Sequence, residues 1–380
     1  MEYIIEKCLK FIKNNRIFKF IGYKETYEKI KHFLPEYDFV SIEDYNQRYG
    51  GKNEKGVGWI VIFLNVHQYI AIEKLLKKEG NTYLINYCPY YFFIHELLQK
   101  EYILFVGECQ LEDIANAFFS VQKDYLVCYI DVRFANELND ALQNLFDMCK
   151  VAVINNYPKA KSVINKFNID SEKTIKIPFF SFWGIWPQIE QVIEKRNPLN
   201  IFSKKDKGPF PIADININNA IKNGETLEEV INKVNTGYYI KDCNIDNYFK
   251  KSLRLFDLMT LDEDKDIKEL FEKMIYKMDV LRDPTHLQVT AVKEIVIGLI
   301  EKIDKNIKII ENNVNLKINN TCTEMIIYPH IIETLNFEHL RNKKYAVRRS
   351  LREEVDYFSY ENWIRYYYEY CSFVYKKGRY

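Results

Sequence analysis

The chain has 380 residues, 47% of them apolar, and a formal net charge of +1. That apolar content excludes wholesale disorder, and the balanced charge excludes a dedicated nucleic-acid binder, which carries a basic excess. At about 150 residues per domain, the length suggests two domains and an appendage.

Residues 1–98 read as alternating helices and strands. Met1 to Asn15 mixes apolar residues with Glu2, Glu6, Lys7 and Lys10, which makes an amphipathic helix rather than the uninterrupted apolar region of a signal peptide. Strands are expected at 17–22, 37–42, 59–64 and 81–87, with helices at 24–33 and 69–78. Such alternation implies a parallel sheet, so this part is expected to form a small Rossmann-like domain. Gly50, Gly51, Gly56 and Gly58 precede a strand, so they do not make a dinucleotide fingerprint, which sits between a strand and a helix.

A second α/β series begins at Glu101. Tyr102 to Val106 is continuously apolar, as expected of a strand buried on both faces. Further strands are expected at 125–130, 150–154 and 175–178, with helices at 111–120, 134–148 and 162–167. An aromatic run, Phe179 to Trp186, follows, and 204–211 is a polar break. Helices are expected at 227–234, 245–259, 266–278 and 287–303, then a polar-apolar stretch at 307–318. Arg341 to Arg352 reads as a solvated basic helix face, and 361–375 as a Tyr-rich helix. The fold class expected is α/β: a Rossmann-like domain over 1–98, a flavodoxin-like parallel-sheet domain over 99–305, and a helical extension over 306–380.

No apolar run reaches the roughly 18–20 residues of a membrane span. The eight cysteines are scattered, with no CxxC pair for zinc or redox work, and several sit in apolar runs as reduced core thiols do. The expectation is a soluble protein of a reducing, cytoplasmic compartment. His32, His67, His95, His330 and His339 lack metal-ligand spacing, and no phosphate-binding GxxxxGK loop is present, so no metal is expected.

Two short motifs carry chemistry. Phe105-Val-Gly-Glu-Cys-Gln110 places Cys109 at the carboxyl end of a buried strand and the mouth of a helix. Ligands of open α/β sheets bind at that edge. The helix amino end offers N–H groups and partial positive charge, which favour a thiolate nucleophile and an oxyanion. Gly107 permits the tight turn. A buried Cys that merely ends a strand is the plain alternative. In the second motif, Asp283-Pro-Thr-His286 precedes an apolar helix. An Asp three residues before a His can orient the imidazole, while the plain alternative is an N-capping Asp beside an incidental His.

Together the motifs resemble the SGNH (GDSL-type) hydrolase arrangement, with Cys109 where those enzymes carry a serine. In that arrangement His286 is the base, Asp283 its orienter, and Asn155 or Asn156 lies near the oxyanion-hole Asn. Gly107-Glu-Cys-Gln110, Trp186-Pro-Gln188, Thr285-His286 and the Tyr-rich helix resemble the WcbI-type family of polysaccharide biosynthesis proteins over most of 100–380. That family's motif has Asn where this chain has Glu108. The resemblance implies coenzyme A as acyl donor and a saccharide or glycan acceptor in surface polysaccharide biosynthesis. It implies catalysis by Cys109, His286 and Asp283, with Gly107, Gln110, Asn155, Asn156, Trp186 and Gln188 at the oxyanion and substrate. Lys159 and Arg282, near predicted strand ends, are the candidates for coenzyme A phosphates. The same residues would also suit a thiol-dependent esterase of acylated glycans, or an inactive glycan-binding module. Nothing in the chain decides between a monomer and a homo-oligomer.

Overall fold

The computed structural model describes residues 17–24, 27–28, 38–48, 57–62, 72, 75–76, 83–84, 101–122, 124–132, 143, 145–155, 165–189, 212–261, 263–310, 323–348 and 355–376. The expected helix at 1–15, the polar break at 204–211, and most of the helices expected at 69–78, 134–148 and 162–167 lie outside the described residues, as does 311–318. The chain divides into two compact units, Met1–Phe179 with Asp262–Ile267 and Val296–Leu316, and Phe180–Leu261 with Lys268–Ile295 and Lys317–Tyr380. Among the described residues no helix is long and apolar enough to cross a membrane.

The first unit carries two four-stranded parallel sheets. In the first, β1 (Ile17–Gly22), β2 (Asp38–Ser41), β3 (Val57–Ile62) and β4 (Tyr83–Leu84) lie in the order β2-β1-β3-β4. Its core gathers Ile21, Val40, Tyr45, Trp59, Val61, Ile72 and Leu76, with the Tyr45 ring edge-on to Trp59. In the second, β5 (Tyr102–Gly107), β6 (Leu126–Asp131), β7 (Val151–Asn155) and β8 (Thr174–Ile177) lie in the order β6-β5-β7-β8. Both orders are the doubly wound pattern expected of strands alternating with helices. β5 is central, and Ile103, Leu104, Phe105 and Val106 are all 0% exposed, which explains its unbroken apolar run. Helix α1 (Cys109–Val121) follows and packs Leu111, Ile114, Ala115 and Phe118 inward. Phe118 meets Phe105 at 5.5 Å. Burial of each such large side chain stabilises by about 1.5–3 kcal/mol.

The second unit is mostly helical: α2 (Ile215–Lys222), α3 (Leu227–Asn235), α4 (Ile245–Met259), much of α5 (Lys265–Ile275), and α6 (Val289–Ile303) in part. Asp214 caps α2, and Thr226 with Glu229 forms a capping box on α3, so these starts are written in the sequence. The aromatic run is core: Phe182 meets Phe249 of α4 at 5.4 Å, and Phe180 meets Phe271 of α5 at 5.0 Å. Short helix α7 (Pro329–Thr334) precedes the hairpin of β11 (Tyr345–Arg348) and β12 (Val355–Phe358). The basic stretch beginning at Arg341 therefore enters a strand, not a helix. Tyr345, Ala346 and Val347 are consecutive buried residues between Lys344 and Arg348. Helix α8 (Tyr360–Lys376) buries Trp363, Ile364, Tyr367 and Cys371 along one stripe. Its Tyr367 anchors polar groups as well: the hydroxyl accepts from Asp214 N at 3.0 Å and donates to Asn218 at 2.9 Å. Tyr328, just before α7, donates to Asp214 at 2.8 Å.

Candidate active site

In the first unit, the residues around Cys109 gather at the carboxyl edge of the second sheet. β6 and β7 flank β5 on opposite sides, so the chain reverses its direction of progress there. This is the switch point at which doubly wound sheets hold ligands. Gly107 ends β5 opposite Asp131 of β6, and Asn155 ends β7 on the other side. Cys109 is the first residue of α1 and is exposed. Leu111 N makes the first bond of the helix, to Glu108 O at 2.8 Å. The amides of Cys109 and Gln110 thus precede the helical ladder, at its positive end. Glu108 is the N-cap residue, and its side chain makes no cap bond.

Gly107 is required sterically. A Cβ there would stand 2.7 Å from Leu111 Cδ2 and 2.8 Å from Asn155 Cβ. Asn155 is fully buried, and its Nδ2 donates to Pro178 O at 3.1 Å. Its Oδ1 is buried with no hydrogen-bond partner among the described residues, so the edge presents an unsatisfied acceptor, a feature that calls for a donor. Gln110 is buried. Asn156 and Lys159 lie outside the described residues.

Among the described residues, Cys149 and Cys371 are buried where Cys109 is exposed. Burial pushes the thiols of Cys149 and Cys371 up to about 12, which makes them inert. Cys128 is disulfide-bonded. Cys128 thus departs from the reduced state expected of cysteines in apolar runs.

In the second unit, Asp283 and His286 face each other across a two-residue turn, Pro284-Thr285. The turn joins β9 (Leu281–Asp283) to β10 (His286–Leu287), a short antiparallel hairpin before α6. Asp283 is 0% exposed, and its Oδ1 and Oδ2 lie 2.9 and 2.8 Å from His286 Nδ1. Thr285 donates both its N–H and its hydroxyl to Asp283 Oδ1, at 2.8 and 3.0 Å. Burial alone would raise the Asp283 carboxyl. The bond and charge of His286, the Thr285 N–H and the Arg282 guanidinium outweigh it and hold the group below the usual carboxylate range. The imidazole is 25% exposed. With Nδ1–H donating to the carboxylate, Nε2 carries the basic lone pair.

The hairpin is braced. Phe182 N donates to Pro284 O at 2.9 Å, and Met325 N to Arg282 O at 2.8 Å. Arg282 is 2% exposed, and its Nε donates to Leu287 O at 2.9 Å, so the guanidinium is turned inward beside the dyad. Trp186 Nε1 and Gln188 Nε2 both donate to Ile326 O, at 3.1 and 3.0 Å, next to Met325. Both side chains are buried, and Gln188 Oε1 has no partner among the described residues. Thr285 was missed as a functional residue. Its signal was present, since a hydroxyl two residues after an Asp is the mark of a side-chain-stabilised turn. Among the described residues no cluster of three or more His, Cys, Asp or Glu could hold a metal ion.

These elements define the doubly wound α/β class, with a thiol at the switch point of one sheet. No family model and no curated protein matches the chain. Among solved structures it is similar to WcbI, a polysaccharide biosynthesis enzyme, with a TM-score of 0.51 and 13% identity over 72% of this chain and 90% of that one. At that identity the likeness shows a WcbI-like fold. That structure is of the native protein without a disulfide bond between coenzyme A and one of its cysteines.

Proposed function

We propose that this protein is an acyltransferase of polysaccharide biosynthesis that moves an acyl group from coenzyme A to a sugar hydroxyl through Cys109. The observation that carries the reading is the exposed Cys109 thiol at the mouth of α1, on the switch-point edge of a parallel sheet. The WcbI likeness supports it, because coenzyme A and a cysteine are named together for that protein. The edge fits such a donor. The buried Oδ1 of Asn155 is an acceptor in need of an N–H, and the pantetheine arm of coenzyme A carries amide N–H groups.

Coenzyme A supplies the acyl group as a thioester. Cys109 Sγ, as thiolate, attacks the carbonyl carbon, the Sγ–C bond forms, and the bond to the coenzyme A sulfur breaks, releasing coenzyme A as a thiolate that takes a proton from water. The amides of Cys109 and Gln110 hold the oxyanion that develops in this step. The sugar hydroxyl oxygen then attacks the acyl carbon. His286 Nε2 takes its proton, Asp283 stabilises the imidazolium, and Cys109 leaves as thiolate. Hydrolysis would use the same groups with water in place of the sugar. Cys109→Ala is expected to abolish acyl transfer with the far-UV spectrum and melting temperature unchanged, and full activity in that variant overturns the assignment.

A further inference from the structure

A cavity of about 450 Å³ opens in the second unit, on residues that take no part in this chemistry. Its size is that of small-molecule pockets. Ile332 of α7 and Leu340 supply apolar wall, Tyr360 at the start of α8 adds an aromatic ring, and Glu333, Arg341 and Lys343 bring charge.

The charge around it restricts the ligand. Lys343 is 4% exposed and holds Asp279 at 2.7 Å and Glu324 at 3.2 Å. Arg341 holds Glu338 at 2.7 Å. Each cation is already met by carboxylate, and Glu333 adds a further negative charge. A phosphate or a nucleotide diphosphate would meet like charge there, at a cost. The guanidinium and ammonium on the same walls oppose an organic cation. What remains favourable is a neutral group with one apolar face and several hydroxyls. A pyranose has both: its C–H face suits Ile332, Leu340 and the Tyr360 ring, and its hydroxyls suit the Glu333 carboxylate and the Arg341 fork.

We propose that this cavity binds a neutral hexose unit of the acceptor glycan. It thereby gives the acceptor a foothold outside the reacting residues. The proposal rests on the acyltransferase reading for the origin of the sugar, while its binding chemistry stands on the cavity alone.

Ligand-observed saturation-transfer NMR on the full chain, with glucose, galactose and maltose as separate probes, tests it. At least one sugar is expected to receive saturation at its C–H protons, with Kd about tenfold weaker in Arg341→Ala and in Tyr360→Ala. Circular dichroism checks that each variant is folded; Arg341 is an exposed rim residue. Cys109→Ala is expected to bind sugar as the unaltered chain does. Sugar binding without acyl transfer defeats the catalytic reading and leaves the cavity standing. The proposal is overturned by no saturation of any of the three sugars, by saturation and affinity that survive in both variants, or by tighter binding of inorganic phosphate or spermidine at the cavity.

Discussion

Asp283 and His286 pair across a two-residue turn, with both carboxylate oxygens within 2.9 Å of Nδ1 and the carboxylate wholly buried. A tight hairpin fixes their separation more firmly than a helix start would, because Thr285 ties down one oxygen from inside the turn. Asp283→Asn keeps the shape and removes the charge that selects the tautomer. Acyl transfer is expected to fall roughly 10²- to 10⁴-fold, read as kcat in a coupled thiol-release assay with acceptor present. A loss under threefold would remove Asp283 from the mechanism.

His286 serves the second half of the reaction on this account. His286→Ala is expected to load Cys109 with acyl group and then stall, so that the loaded form persists after acceptor is added. The unaltered chain is expected to discharge it. Equal discharge in both would show that another base works there.

Gly107 stands where β5, α1 and β7 converge. Gly107→Ala forces a methyl group to within 2.8 Å of both Leu111 and Asn155, and such overpacking costs about 1–3 kcal/mol. Urea denaturation should show a lower midpoint with an unchanged slope, together with slower alkylation of Cys109 as the helix mouth shifts. An unchanged midpoint would mean that the edge is looser than these contacts imply.

Asp214 predicts the pH dependence. It is 0% exposed, and burial raises its carboxyl to about 6, against the opposing bonds from Ile217, Tyr328 and Asn216. Between the unfolded value near 3.9 and the folded value, the native state binds a proton that the unfolded state has released. Stability from this group is therefore full below about pH 4 and is lost as pH rises to about 6, by about 3 kcal/mol. Asn still caps α2 but cannot titrate. The stability difference, Asp214→Asn minus the unaltered chain, should thus grow from pH 4 to pH 6 and level off above it. A flat difference contradicts the assignment.

Much of the sheet framework was legible because its signals are local. The unbroken apolar run of β5 and the helical period of α4 set those elements within a residue or two. Cys109 at a strand end and the Asp283–His286 spacing were legible for the same reason. The hairpin itself was not, since strands of three and two residues carry no period. Nor was the strand that begins at Tyr345, whose three buried residues are too few to stand out among flanking lysines and arginines. The convergence of Trp186 and Gln188 on Ile326, and the Asp214–Tyr328 bond across 114 positions, depend on tertiary packing that no local pattern encodes.

The central claim is that Cys109 carries the acyl group. Intact-protein mass spectrometry after incubation with acetyl-coenzyme A and no acceptor tests it most directly. The account predicts a mass gain of one acetyl group, mapped to the peptide containing Cys109, labile to hydroxylamine, and absent from Cys109→Ala. No gain in the unaltered chain, or the same gain in Cys109→Ala, would contradict it.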